Sequence, residues 1–301
     1  MMRLVKVGYV TSDEKCKTHG INLFDHSQYG GYEFCMFPID PCTPLETQVK
    51  CDFIIHKIHI YFVEQLQLID RNDILNRIQH FCDELKRIKI PLVDPWASVC
   101  ETLYRSQVAH IISSCEFELN GIKIKSPPTF EVDSEIPDEE FIKIMAENNL
   151  NFPFMTKPRG GLLPKFRYDM SIHFSASVPG YASITDQFKQ LIPCMIQKFY
   201  NHGGHLYKLY VIGDEWYISV RASVIDFDSK QLKPLFFKSC TISRKNCSSK
   251  ASPKIKSSEI STHSTLDTDV IDSIVQRLKA LLDFNLIGID IIVDQSTNTY
   301  Y

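Results

Sequence analysis

The spacing of apolar residues along the chain predicts an alternation of strands and helices. Short, mostly apolar runs that are typical of strands occur at residues 4–10, 52–57, 90–94, 152–157, 169–174 and 286–293. Apolar residues at helical spacing predict helices over residues 72–88, 96–115, 137–149 and 268–283. This order predicts an α/β or α+β protein, and the first three strands with their helix predict a small α/β domain at residues 1–95.

The clearest strand pattern lies at residues 193–223. Two turn signals, Gly203-Gly204 and Gly213-Asp214, separate three β-rich runs. A two-residue hairpin loop at Gly213-Asp214 would place Lys208 opposite Ser219 and Arg221 two residues beyond that serine on the same face. Lys208 and Arg221 would then be diagonal neighbours, roughly 7–8 Å apart.

The two faces of this hairpin differ in polarity. One face is wholly apolar and is expected to be buried; its residues are Tyr207, Leu209, Val211, Trp216, Ile218 and Val220. The other face carries two cations, two tyrosines and a serine. Lys208 and Arg221 on that face could share an anion, but a solvated sheet face with two separate charges explains the same pattern, and both interpretations stay open.

Composition limits the classes of partner. The chain has 301 residues, 44% of them hydrophobic, and a net charge of −3. Because there is no overall basic field, we expect no binding to nucleic acid or membrane surfaces, and any anion site must be local. No apolar run approaches the roughly 20 residues of a membrane span, and the N-terminus does not have a signal-peptide pattern. Ten scattered cysteines without a Cys-x-x-Cys pair indicate reduced thiols. We expect a cytoplasmic monomer.

Asp290 is the most informative single residue, because it interrupts the apolar run 286–293. A carboxylate inside an apolar strand is expected to be paired, hydrogen-bonded or bound to a metal. Its oxygens would suit Mg²⁺, which typically uses one or two carboxylates together with substrate phosphates. A buried salt bridge, or a position at the strand end that faces solvent, is the alternative.

Lys157 ends a predicted strand just before Gly160-Gly161, in a loop that also holds Lys165 and Arg167. A lysine at such a position could bind phosphate as a point charge, although an ordinary surface lysine fits equally well. The loop lacks the P-loop pattern, and no dinucleotide fingerprint follows the first strand. The chain also lacks standard zinc spacings and a Gly-x-Ser-x-Gly motif, so covalent hydrolysis is unsupported.

Short motifs occur in order along nearly the whole chain: Lys6-Val-Gly-Tyr9, Ile54-Ile-His-Lys57, Val93-Asp-Pro95, Tyr104-Arg-Ser106, Ser126-Pro-Pro128, Phe152-Pro-Phe154 with Lys157, Asn201-His202, Leu206-Tyr-Lys208, Val211-Ile-Gly213, Phe236-Phe237 with Ser239, and Gly288-Ile-Asp-Ile-Ile292. Taken together, these motifs resemble the inositol 1,3,4-trisphosphate 5/6-kinases, also called inositol-tetrakisphosphate 1-kinases, a family with the ATP-grasp fold. The resemblance implies an N-terminal Rossmann-like domain at 1–95 and ATP-grasp subdomains at 96–192 and 193–301. The serine- and lysine-rich segment 240–264 is expected to be a flexible loop.

The resemblance also implies roles for matching residues in an ATP-dependent inositol polyphosphate kinase. ATP would contact Arg105, Lys157, the hinge residues Gln197, Lys198, Phe199 and Tyr200, and Ser223, Ser239 and Ser243. The inositol phosphate would contact Lys15, Lys57, Lys208 and Arg221, of which Lys208 and Arg221 would also act in catalysis. Asp290 would bind Mg²⁺. Catalysis would consist of positioning and charge neutralisation, as in phosphoryl transfer generally.

Two departures from the family pattern are visible. The loop Arg159–Tyr168 is one residue longer than in the family and lacks its two histidines. The family pattern also continues with a strand that carries an Asp and an Asn, both Mg²⁺ ligands, and with a last helix, so we expect the last core strand and helix to be missing here. Two alternatives stay open: a non-catalytic binder of nucleotide or inositol phosphate, and an ATP-grasp carboxylate–amine ligase.

Overall fold

The computed structural model describes residues 2–19, 27–162, 168–174, 190–227, 233–242 and 266–301. The chain divides into two compact units. Unit 1 comprises Met1–Cys100 and Asp283–Leu286, and unit 2 comprises Glu101–Leu282 and Ile287–Tyr301. Only three residues of the predicted loop 240–264 lie within the described residues.

Unit 1 is built on a five-stranded sheet with the order β2-β3-β1-β4-β5. The strands are β1 (Arg3–Val10), β2 (Ser27–Tyr29), β3 (Tyr32–Pro38), β4 (Phe53–His56) and β5 (Leu92–Val93). β1 runs parallel to β3 and β4, and β4 runs parallel to β5, whereas β2 is antiparallel to β3. Strands β2 and β3 were not among the predicted elements. They add two strands to the three that were expected in this domain.

The helices of unit 1 include α1 (Asp13–His19), α2 (Ile58–Ile60, continued by a π-helical turn, Tyr61–Gln65), α3 (Arg71–Ile88) and α4 (Trp96–Glu101, at the boundary with unit 2), with a 3₁₀ turn at Leu45–Thr47. The predicted helix over 72–88 is confirmed as α3. Asp70 caps its N-terminus by accepting a hydrogen bond from the backbone N–H of Asp73, and Lys89 ends it in the left-handed conformation. Its apolar stripe is buried: Ile74, Ile78, Phe81, Cys82 and Leu85.

Unit 2 contains a second five-stranded sheet, with the order β14-β10-β9-β11-β8. Its strands are β8 (Thr129–Val132), β9 (Phe154–Pro158), β10 (Asp169–His173), β11 (Cys194–Lys198) and β14 (Leu235–Lys238). Helix α6 (Asp138–Glu147) covers one face, where Phe141 and Met145 pack in a buried cluster with Phe154 and Ile196. Side chains alternate along strands, so Lys157 and Gln197 lie on the opposite face.

The single helix predicted over 96–115 is wrong. The chain forms α4, which ends at Glu101, and then α5 (Arg105–Ser114). The break has a structural cause: Tyr104 is extended, with φ −103° and ψ 138°, and it forms a β-bridge with Gly160. Arg105 is therefore the first residue of a helix rather than a residue within one.

Unit 2 also contains two smaller sheets. The first is formed by β12 (His205–Ile212), β13 (Glu215–Ala222) and β15 (Leu286–Ile291), in the order β13-β12-β15. The second is formed by β6 (Phe117–Leu119), β7 (Ile122–Ile124), β16 (Val293–Asp294) and β17 (Thr299–Tyr300), in the order β16-β17-β7-β6. The apolar face of the β12–β13 hairpin packs with helix α7 (Thr268–Leu281) in one core, in which Leu209 and Ile271 are fully buried.

The predicted register of the hairpin is confirmed. Ile212 pairs with Glu215, Lys208 pairs with Ser219, and Leu206 pairs with Arg221. Among the described residues, no helix combines the length and hydropathy that a membrane span requires.

Candidate functional site

Lys208 and Asp290 form an ion pair on neighbouring strands of the small sheet. The Nζ of Lys208 lies 2.6 Å from Oδ1 of Asp290, and the two side chains are 23% and 57% exposed. Gly288 makes room for this pair, because a Cβ at that position would lie 3.1 Å from Cε of Lys208. Asp290 is paired, as the apolar run suggested. Its side chain is more than half exposed, so of the two alternatives to a metal ligand the buried salt bridge is excluded, and the ion pair lies at the surface.

Lys157 lies on the face of the five-stranded sheet of unit 2 that is opposite helix α6. Its ammonium donates a hydrogen bond to Oε1 of Gln197. Burial, with a further contribution from the charge of Arg105, lowers the pKa of Lys157 to about 8, and the charge of Asp290 opposes that shift. Lys157 is therefore a cation whose charge is only partly compensated by the protein.

Arg105 is the second cation near Asp290. Its Nε donates to the carbonyl oxygen of Pro158 at 2.8 Å, and its backbone N–H donates to the carbonyl oxygen of Arg159 at 3.0 Å. Burial lowers the pKa of Arg105, and the carboxylate of Asp290 raises it. Three cations, Arg105, Lys157 and Lys208, thus share the field of one carboxylate.

Gly160 and Gly161 hold Arg105 beside β9. Both have positive φ, at 90° and 99°, and the N–H of Gly161 donates to the carbonyl oxygen of Leu103 at 2.7 Å. A Cβ at Gly160 would lie 2.6 Å from that same carbonyl oxygen. The close approach of these two backbone segments requires glycine, and it fixes the start of α5 against the end of β9.

A cavity of about 360 Å³ opens between α5 and the face of the sheet that carries Lys157. Its lining includes Ser106 and Ala109 from the helix and Glu131 and Met195 from the strands. Met195 pairs with both Lys157 and Glu131 in the sheet, so the cavity and the lysine share one face.

The predicted hinge residues differ in orientation. Gln197 lies on the face of Lys157, whereas Lys198 points to the other side and donates to the carbonyl oxygens of Phe152 and Asn151, at 2.9 and 3.3 Å. Phe199 is buried. The ring of Tyr200 stacks on Tyr301 with centroids 3.9 Å apart, and burial together with a hydrogen bond to Tyr301 raises the pKa of Tyr200. Tyr301 was not a predicted site residue, since no local pattern relates residues so far apart in sequence.

A hydrogen-bonded frame connects the hinge to Ser223, which follows β13. His202 is buried and contacts two groups: its Nδ1 lies 2.8 Å from the carbonyl oxygen of Tyr200, and its Nε2 lies 2.7 Å from Oγ of Ser223. The carboxylate of Asp226 accepts the backbone N–H groups of His202 and Gly203, at 2.8 and 2.9 Å.

Three further predicted residues lie at different places. Arg221 packs over the ring of Tyr210, 5.6 Å from its centroid, and donates to its hydroxyl. Ser239 begins a 3₁₀ turn, Ser239–Thr241, and its N–H donates to the carbonyl oxygen of Tyr168 at 2.8 Å. Ser243 lies outside the described residues, as do Lys165 and Arg167.

Lys15 and Lys57 belong to unit 1. Lys57 directly follows β4, and its N–H donates to the carbonyl oxygen of Val10, the last residue of β1, at 2.7 Å. Lys15 lies in α1, which follows β1, and its N–H contacts Oγ of Ser12 at 3.4 Å. Because β1 and β4 are parallel neighbours, both lysines lie beyond the same carboxyl edge of the sheet, where open α/β sheets bind ligands.

The fold is that of the ATP-grasp proteins. The chain is similar to D-alanine–D-alanine ligase from Bacillus anthracis complexed with ATP, with a TM-score of 0.53, 13% identity, and coverage of 99% of this chain and 84% of that one. It is similar to the same degree to the ATP-grasp ligase PsnB complexed with its minimal precursor, with a TM-score of 0.53, 13% identity, and coverage of 98% and 88%. At these identities the similarity establishes the fold alone, and the predicted fold class is confirmed.

Within that class the family is defined by sequence. The model of the inositol 1,3,4-trisphosphate 5/6-kinase ATP-grasp domain matches residues 120–301. The chain is 28% identical over 299 residues to inositol-tetrakisphosphate 1-kinase of Xenopus laevis, covering 98% of this chain and 72% of the relative. It is 27% identical over 300 residues to the Danio rerio protein of the same name, with the same coverage. The chain belongs to the inositol 1,3,4-trisphosphate 5/6-kinase family, which confirms the predicted resemblance.

Proposed function

We propose that this protein is an ATP-dependent inositol polyphosphate kinase, which transfers the γ-phosphoryl group of ATP to a ring hydroxyl of an inositol tris- or tetrakisphosphate. The observation that carries the proposal is that three cations, Arg105, Lys157 and Lys208, interact with the carboxylate of Asp290 in a member of this kinase family. Such a set has an excess of positive charge that a polyphosphate would balance.

Lys157 and Arg105 would bind the phosphates of ATP. Both are desolvated cations, and an anion beside them would restore part of the solvation that burial removes. The hinge residues Gln197, Lys198, Phe199 and Tyr200 would lie along the adenine, and Ser223, Ser239 and Ser243 would lie near the nucleotide.

Asp290 would hold Mg²⁺ jointly with the phosphates of ATP. Within the described part of the chain no group of three or more His, Cys, Asp or Glu side chains could hold a metal. Asp290 would contribute a single carboxylate. One carboxylate fits Mg²⁺, because this ion usually takes one or two together with substrate phosphates. When bound, Mg²⁺ neutralises charge on the phosphates.

Lys208 and Arg221 would bind the acceptor substrate and stabilise the transition state. A ring hydroxyl oxygen forms a bond to the γ-phosphorus, the bond from that phosphorus to the oxygen that bridges to the β-phosphorus breaks, and the hydroxyl proton is released. The transition state spreads negative charge over the transferred group, so positioned cations favour it over the ground state. In unit 1, Lys15 and Lys57, which follow neighbouring parallel strands, would bind phosphates of an inositol phosphate.

The test is a transfer assay with the purified chain, γ-labelled ATP, Mg²⁺ and a panel of inositol tris- and tetrakisphosphates, with products separated by anion exchange. We expect label in an inositol phosphate that carries one more phosphate than the substrate. Lys157→Met should abolish the signal, and Lys143→Met, which changes an exposed lysine paired with Glu147 outside the site, should retain it. Absence of labelled inositol phosphate with every member of the panel would refute the kinase assignment.

A second candidate is a non-catalytic binder of nucleotide or inositol phosphate. The direct ion pair between Lys208 and Asp290 favours it, because each group neutralises the other in the ligand-free protein. Calorimetry with both ligand classes separates the two candidates: tight binding without transfer supports the binder.

The carboxylate–amine ligase shares the fold, but clustered cations suit a polyphosphate acceptor better than a carboxylate.

A further inference from the structure

The tautomer of His202 follows from its contacts. The Nδ1 atom lies 2.8 Å from the carbonyl oxygen of Tyr200, and a carbonyl oxygen can only accept a hydrogen bond. The Nδ1 atom therefore carries a proton. The Nε2 atom lies 2.7 Å from Oγ of Ser223.

The neutral form of the His202 ring predominates at neutral pH, because its pKa lies below the ordinary value of histidine. Burial lowers the pKa of His202, and the nearby His205 lowers it further, whereas the hydrogen bond to Tyr200 and the charge of Asp226 act in the opposite direction. In a neutral ring with the proton on Nδ1, the Nε2 atom is an acceptor. Ser223 must then donate its single hydroxyl proton to His202, and its oxygen offers only lone pairs to any other partner.

The surrounding backbone fixes this arrangement before any ligand binds. The N–H of Ser223 donates to the carbonyl oxygen of Gly204 at 2.8 Å. The side-chain amide of Asn201 donates to the carbonyl oxygen of Phe227 at 2.9 Å and accepts its N–H at 3.1 Å. With the two N–H groups held by Asp226, these bonds tie the loop after the hinge to the segment after β13. The hydroxyl of Ser223 is thus oriented by the fold.

We propose that His202 is a positioning residue which fixes Ser223 as a hydrogen-bond acceptor, and that Ser223 consequently binds an O–H or N–H donor of the nucleoside part of ATP rather than a phosphate oxygen. This inference rests on the proposed function, in which Ser223 lies near the nucleotide. A phosphate oxygen is an acceptor, so it would meet a second acceptor at Ser223. The donors that ATP can supply are the 2′ and 3′ hydroxyls of the ribose and the amino group of adenine.

The experiment is a binding cycle between protein variants and nucleotide analogues. Dissociation constants for ATP, 2′-deoxy-ATP, 3′-deoxy-ATP and inosine triphosphate, which lacks the amino group, are measured by calorimetry on the wild-type protein and on Ser223→Ala. We expect one analogue to bind the wild-type protein roughly 2- to 10-fold more weakly than ATP, the factor of one neutral hydrogen bond, and to bind Ser223→Ala as tightly as ATP does. The analogue that shows this pattern identifies the donor.

Two variants of His202 test the positioning role. Glutamine supplies one donor and one acceptor, so His202→Gln should retain the discrimination against that analogue, whereas His202→Phe keeps an aromatic ring without either group and should lose it. Ser114→Ala removes an exposed hydroxyl that donates to a helix carbonyl, and it serves as the control. Thermal denaturation shows which variants fold, and should His202→Phe not fold, the comparison of His202→Gln with Ser223→Ala decides.

Any of four results would overturn the inference. If each analogue loses the same affinity relative to ATP on the wild-type protein as on Ser223→Ala, Ser223 accepts no hydrogen bond from the nucleoside. Discrimination that persists in a folded His202→Phe protein, or that is lost in a folded His202→Gln protein, would remove the role of His202. Absence of ATP binding to the wild-type protein would reject the proposed function and this inference with it.

Discussion

The affinity for ATP should fall as pH rises through about 8, because Lys157 loses its charge there. Burial lowers the pKa of Lys157 from 10.5 to about 8. The ligand-free lysine is then about 90% protonated at pH 7 and about 10% protonated at pH 9. If only the protonated form binds the phosphates, the apparent dissociation constant rises by about tenfold between these two values.

The other groups at the phosphate contact do not titrate in this range. Arg105 keeps its charge throughout this range, and terminal phosphates titrate near pH 6, so neither changes between pH 7 and pH 9. Bound phosphate raises the pKa of the lysine, so at pH 9 binding should take up close to one proton. Calorimetry in buffers of different ionisation enthalpy, at constant ionic strength, measures the affinity and the proton uptake together.

Two variants sharpen the measurement. Lys157→Arg keeps the positive charge at every pH, so its affinity for ATP should not change between pH 7 and pH 9. Lys157→Met should bind ATP weakly at both pH values. The control is Lys143→Met, an exposed site that should follow the wild-type curve. A flat wild-type profile, or a slope that remains in Lys157→Met, would refute the assignment of this titration to Lys157.

Other predictions concern the remaining site residues. Lys208→Ala and Arg221→Ala should weaken the binding of inositol phosphate more than that of ATP, and equal losses in calorimetry would contradict their assignment to the acceptor substrate. Asp290→Asn should reduce transfer by at least tenfold while leaving the fold intact by circular dichroism, and undiminished turnover would exclude it as a metal ligand. Gly160→Ala should lower the free energy of unfolding by about 1–3 kcal/mol, because its Cβ would lie 2.6 Å from the carbonyl oxygen of Leu103 at a φ of 90°. Urea denaturation measures this loss of stability, and an unchanged midpoint of unfolding would disprove the strain.

The hairpin could be predicted in detail because its information is local. A two-residue turn at Gly213-Asp214 fixes which residues pair, and the alternation of side chains then assigns every residue to a face. The first hairpin, β2–β3, carried a similar signal, since Gly30-Gly31 separates two runs with aromatic residues, yet it was not among the predicted elements. Local patterns were therefore sufficient for more of the fold than was predicted from them.

Other features depend on contacts between distant residues. At the break between α4 and α5, Tyr104 forms a β-bridge with Gly160, more than 50 positions later, and the helical spacing of residues 96–115 does not reveal this contact. The outward orientation of Asp290 depends on the pairing of β15 with β12, which the apolar run 286–293 does not reveal. The family resemblance assigned both Lys208 and Asp290 to the site, but in different roles, and it did not predict their direct ion pair.

The buried charge of Lys157, which would bind the ligand, should destabilise the folded protein. A lysine whose folded-state pKa of about 8 lies below its unfolded value of 10.5 loses roughly 3 kcal/mol of folding free energy at pH 7, a cost that is present below pH 8 and disappears as pH rises towards 10.5. Lys157→Met removes the charge and keeps the aliphatic stem, but it also removes the hydrogen bond to Gln197. We therefore expect urea denaturation at pH 7 to show a gain of about 1–3 kcal/mol that vanishes near pH 10, while Lys143→Met changes the value by less than about 0.5 kcal/mol. A Lys157→Met protein less stable than the wild type at pH 7 would mean that this lysine supports the fold rather than the ligand site.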